Sequence, residues 1–102
     1  KPSLQQSFGQ CVRALRQTHG LTQVEFSEKC GFYQTYLSRI ENGQANPTLN
    51  AMEVIAVGLG LTVFELFERV REQAGQAAKV AVLLRVKFES RGFFNVVGQH
   101  LH

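Results

Sequence analysis

Apolar residues recur along this chain at the spacing of short amphipathic helices. Phe8, Cys11, Val12 and Leu15 fall at i, i+3, i+4 and i+7, which places them on one side of a helix. That helix is predicted from about Leu4 to Thr18. His19 suits its negative end, and Gly20 closes it. Thr22 and Glu25 form a capping box that opens a second helix, with Val24, Phe26 and Cys30 among its apolar positions and a stop at Gly31. Only Gly31, Phe32 and Tyr33 separate it from a third, and a connection this tight forces two helices to cross steeply. Helix three turns Leu37 and Ile40 inward. Its other side carries Gln34, Thr35, Ser38, Arg39 and Asn42, all hydrogen-bonding groups, and Asn42-Gly43 ends it. Thr48 caps a fourth helix bearing Met52, Ile55, Ala56 and Leu59. Thr62 and Glu65 make a second capping box. The fifth helix buries Val63, Leu66, Phe67 and Val70 and is expected to fray near Gly75.

The period changes after that. Val80, Val82, Leu84, Val86 and Phe88 alternate with Ala81, Leu83, Arg85, Lys87 and Glu89. On a strand, Arg85, Lys87 and Glu89 share one face, whereas a helix spreads them around its circumference. The β-branched content also favours a strand. Ser90-Arg91-Gly92 reads as a turn before a second apolar run that holds Phe93, Phe94, Val96 and Val97. The expectation is a β-hairpin.

A length of 102 residues with 44% hydrophobic content fits one globular domain with a short appendage. The net charge of +3 is unevenly placed: residues 1–72 hold seven Lys and Arg against seven Glu, so the excess falls in residues 73–102. Basicity therefore says little about the helical part. Cys11 and Cys30 have no metal-site spacing and read as small buried hydrophobes. The chain has no Asp, and its three His are His19, His100 and His102. Neither a nucleophile with a base nor a metal constellation can be assembled, so no enzyme, cofactor or metal is expected. No apolar run approaches the roughly 20 residues that span a bilayer, and the expected compartment is the cytoplasm.

The segment GLTQVEFSEKCGFYQTYLSRIENGQANPTLNAMEVIAVGLGLTVFELF, residues 20–67, resembles the Cro/repressor-type helix-turn-helix of the xenobiotic-response-element (XRE) family. With the first helix the resemblance covers about residues 7–71, and it rests on GLTQ, YLSRIENG, NPT and the closing Glu-Leu-Phe at the family's spacing. It implies a mainly α, five-helix lambda-repressor-like DNA-binding domain over residues 1–72, followed by an extension over 73–102. It also implies a transcription regulator, bacterial or phage, that meets double-stranded palindromic DNA as a homodimer. Under that resemblance Gln34, Thr35, Ser38 and Arg39 contact bases, and Gln23, Tyr33, Asn42 and Gln44 contact the DNA backbone. Arg16 and Glu41 form an internal ion pair. Arg13 reads as a solvated charge.

Two departures matter. Tyr33 stands where the family places a capping Ser or Thr, and a lost cap costs about 1 kcal/mol. It lies either along the DNA backbone or against Phe32. Phe64 replaces a commonly polar residue and is expected under the tail or at a subunit interface. With Val82, Leu84, Val86, Phe88, Phe93 and Phe94 it makes the expected dimer interface. An intramolecular flap ranks second for this tail and a small-molecule pocket third; the sequence identifies no effector. The alternative function is a protein-interaction module, or an antitoxin-like partner, that reuses the same scaffold.

Overall fold

The computed structural model describes residues 1–89 and is built from five helices: α1 (Leu4–Thr18), α2 (Gln23–Cys30), α3 (Gln34–Glu41), α4 (Leu49–Gly58) and α5 (Val63–Glu89). Their starts are fixed locally. Ser3, Thr22 and Thr48 each cap a helix through the side-chain oxygen. The two expected capping boxes are present: Thr22 and Glu25 exchange backbone-to-side-chain bonds at 2.9 and 3.1 Å, and so do Thr62 and Glu65. Ser3 and Gln6 form a third.

Gly31 ends α2 with φ at +72°, a left-handed conformation in which a Cβ is strained. Its amide and that of Phe32 return to the last carbonyls of α2. The chain thus reverses at once into α3, which packs against α2. Ser27 is buried in α2, where its hydroxyl donates to the Val24 carbonyl.

The core gathers Phe8, Cys11 and Val12 of α1, Phe26 of α2, Leu37 and Ile40 of α3, Ile55 of α4 and Leu66 of α5. At Gly9, α1 crosses α3 at close range. A Cβ on Gly9 would lie 2.2 Å from the Ile40 carbonyl oxygen, so only glycine permits this approach. It presses α1 onto the C-terminal half of α3 and holds the opposite face of α3 outward.

The structure corrects the reading of the tail. Residues 80–89 are not a strand, and α5 does not fray near Gly75; it continues unbroken through Glu89, for 27 residues. That is about 40 Å of helix. Ala74, Ala77, Ala78, Ala81, Leu83 and Leu84 are strong helix formers. A helix also satisfies its own backbone groups, whereas a strand needs a paired edge. The expected boundary at residue 72 therefore falls inside one continuous helix. The second expected strand, with Phe93 and Phe94, lies outside the described residues. Among the described residues no single helix is long and apolar enough to cross a membrane.

Candidate nucleic-acid interface

Helix α3 divides as its sequence predicts. Leu37, Ile40 and Glu41 are buried, while Gln34, Thr35 and Arg39 are exposed and Ser38 is half-buried. Gln34, Ser38 and Asn42 step by four along one line of this outer face. Tyr33 begins α3 without a side-chain capping bond and is 85% exposed. Of its two expected placements, packing on Phe32 is not adopted; Phe32 instead meets Tyr36 edge-on, with ring centroids 5.2 Å apart.

One buried carboxylate connects the expected contacts. The Glu41 side chain is fully buried. Its Oε2 accepts from Arg16 Nε at 2.7 Å, and its Oε1 accepts from Arg16 Nη2 at 3.0 Å. The expected ion pair is therefore present, in two-pronged form. Oε1 also accepts from Gln23 Nε2 at 3.0 Å and from Arg13 Nε at 3.4 Å. Burial pushes the Glu41 carboxyl up, but the bonds from Arg16 and Gln23, the charge of Arg16 and the bond from Arg13 outweigh it and hold it below the ordinary carboxylate value.

The network reaches outward in two directions. Gln34 Nε2 donates to Gln23 Oε1 at 3.4 Å. On the other side Arg13 Nη2 donates to Asn42 Oδ1 at 2.6 Å, and Asn42 Nδ2 donates to the Ser38 hydroxyl at 3.5 Å. Gln23, Gln34, Ser38 and Asn42 thus join one connected surface. Arg13 corrects the sequence reading: it is a bridge between Glu41 and Asn42 rather than a solvated charge. Its position facing outward on α1 gave no signal, because the partner lies 28 residues away.

Arg39 donates through Nη2 to the Gln44 carbonyl at 3.0 Å, and the Gln44 amide donates to the Arg39 carbonyl at 2.8 Å. A guanidinium has five N–H donors, so this anchor leaves the rest of the fork for a ligand. Thr35 and Gln44 are exposed at the two ends of the face. Gln23 is the first residue of α2, where backbone amides and the helix dipole favour an anion.

A second surface lies away from α3. Phe64 is 80% exposed, so none of the described tail covers it. With Val54, Val57, Leu61 and Val63 it lines an open groove of about 580 Å³ between Lys29 and Glu53. Val82, Leu84 and Val86 are exposed on distal α5. Phe88 lies in the same helix, and Phe93 and Phe94 lie outside the described residues.

Comparison with known proteins agrees with this geometry. The family described as helix-turn-helix matches residues 12–66. Control protein C.MunI of Mycoplasma sp is 37% identical over 67 residues, covering 65% of this chain and 90% of that protein. The immunity repressor protein of Bacillus phage phi105 is 40% identical over 57 residues. That match covers 56% of this chain but only 40% of the repressor. Among solved structures, the restriction-modification controller protein C.Esp1396I, a tetramer in complex with its natural 35 base-pair operator, superposes with a TM-score of 0.65. It is 26% identical, and the superposition covers 71% of this chain and 95% of that one.

Proposed function

We propose that this chain, which belongs to the XRE-type helix-turn-helix family of DNA-binding transcription regulators, binds a palindromic operator as a homodimer with α3 laid in the major groove. The observation that carries this reading is the outer face of α3: Gln34, Thr35 and Arg39 are exposed, with half-buried Ser38 between them, on a helix whose opposite side is buried. A major groove admits one α-helix, and its base edges present distinct donor and acceptor patterns. Gln34 offers a donor and an acceptor to adenine, and Arg39 offers paired donors to guanine. Thr35 meets a thymine methyl or a phosphate. Gln23, Tyr33, Asn42 and Gln44 surround this face and hold the sugar-phosphate backbone, fixing position without reading sequence.

Two such faces read a palindrome when dimerisation holds them about 34 Å apart. The uncovered apolar residues Phe64, Val82 and Val86, which the 3.6-residue period of α5 sets on one side of that helix, support a partner copy there, because exposed apolar patches of this kind mark interaction sites; Leu84 falls on the opposite side of the helix. C.Esp1396I, tetrameric on its operator, lends the same reading support from a related fold.

Selection of bound sequences from a random duplex library tests the proposal. The expected output is a two-fold symmetric motif with half-sites one helical turn apart. Recovery of no enriched sequence overturns it. The charge balance of residues 1–72 favours a second reading, a protein-interaction module on the same scaffold. Arg39→Ala separates the two: it removes DNA affinity under the first reading and leaves partner binding unchanged under the second.

A further inference from the structure

We propose that the buried Glu41 carboxylate is a positioning residue for base specificity, because it dictates which way the amides of Gln23 and Gln34 face. This rests on the regulator reading above. A glutamine amide has two nearly isosteric orientations, one edge accepting and the other donating. A carboxylate removes that freedom in its neighbour because it only accepts. Glu41 Oε1 therefore admits only the NH2 edge of Gln23, which lies 3.0 Å away. The reversed amide would set oxygen against oxygen beside a buried charge. Gln23 must then turn its Oε1 outward, where it accepts from Gln34 Nε2 at 3.4 Å.

The orientation of Gln34 follows in turn. One of its N–H groups is committed to Gln23. Its second N–H and its Oε1 remain on the outer edge, an adjacent donor and acceptor. That pair matches adenine, which offers N7 as acceptor and N6 as donor. A reversed Gln34 would put its oxygen on Gln23 and leave only donors outside, which suit any base with an acceptor edge. The charge on a fully buried group thus narrows the reading of an exposed one.

The second branch has a different output. Arg13, held by Glu41 at 3.4 Å, donates to Asn42 Oδ1 at 2.6 Å. This turns the Asn42 NH2 toward Ser38 and the outer face. A donor there meets phosphate, not a particular base. The Gln23 branch therefore governs specificity, and the Arg13 branch governs affinity.

The test is quantitative library selection with the full chain and four variants. Gln34→Ala identifies the base pair that Gln34 reads, by flattening the preference there. Glu41→Gln lets either amide orientation face Gln23. Gln23→Met cuts the connection and leaves the Arg16–Glu41 pair intact, so it decides the matter should Glu41→Gln not fold. Both are expected to lower discrimination at the same base pair by about tenfold and to leave preferences at other positions unchanged. Arg13→Met is expected to weaken binding to all sequences by a common factor. Wild-type relative preference in Gln23→Met at the pair that Gln34→Ala flattens overturns the inference, whatever common loss of affinity accompanies removal of the Gln23 phosphate contact. A wild-type chain that enriches no sequence overturns the regulator reading itself and this inference with it.

Discussion

A methyl group is the smallest side chain that can be added at Gly9, and it would sit 2.2 Å from one backbone oxygen and 2.7 Å from another. Neither oxygen belongs to a flexible side chain, so α1 and α3 would have to separate. Gly9→Ala is expected to cost about 3 kcal/mol, the upper range for overpacking, read as a lowered urea midpoint with an unchanged slope. Glu41 sets a pH dependence. Its folded pKa lies below the reference value of 4.5, so its contribution is complete above that value and is lost as pH falls through the depressed one. Stability should decline with acid below about pH 4.5, and Glu41→Gln should flatten that decline while lowering stability at neutral pH by about 3–5 kcal/mol, since Arg16 loses its buried counter-charge. Paired urea melts at neutral pH and near pH 3 check both. The family resemblance made Arg16, Glu41, Gln23 and Gln34 recognisable in the sequence, and with them the Arg16–Glu41 pair. The convergence of Gln23 and Arg13 on the same carboxylate was not, because separations of 18 and 28 residues to Glu41 leave no periodic trace.

Helices announce themselves where their ends are chemically marked. The boundaries of α1 to α4 follow from caps, from Gly31 and from the Asn42-Gly43 stop, all within a few residues of the bonds they make. The distal part of α5 has no such mark. Its alternating pattern fits a strand face, and Gly75 resembles a terminator, yet the helix runs through both. Alternation over ten residues is weaker than it looks when nearly every position tolerates an apolar side chain: a helix can place the charges at any angle as long as water reaches them. Gly75 is exposed within the helix, and a Cβ there meets nothing within 4 Å. Gly75→Ala should therefore stabilise the chain by up to about 1 kcal/mol, seen as a higher melting temperature and stronger helical circular dichroism. A fall in either would show that residues beyond 75 are not helical in solution.

The molecule presents two exposed surfaces of different chemistry. Under the proposed reading the polar face of α3 meets DNA, and the apolar side of α5 that carries Phe64 meets a second copy. Phe64→Glu should shift the sedimenting species from dimer to monomer. Affinity for an operator with two half-sites should fall by about a hundredfold or more, because the second contact no longer comes at high effective concentration. Affinity for a single half-site should stay unchanged. An unaltered dimer in this variant would move the interface elsewhere on the chain.

The pattern of residues determined by itself that four short helices and the start of a fifth would form, that the second and third would be joined by a tight turn, and which face of α3 would stand outside. Those are consequences of caps, glycine geometry and a 3.6-residue period, and each acts over a handful of neighbours. The length of α5, the bridging role of Arg13 and the single acceptor that orients two glutamines were decided only in three dimensions. Long-range hydrogen bonds and close helix crossings depend on which distant groups meet, and a carboxylate constrains an amide only once folding has carried both out of water and into contact.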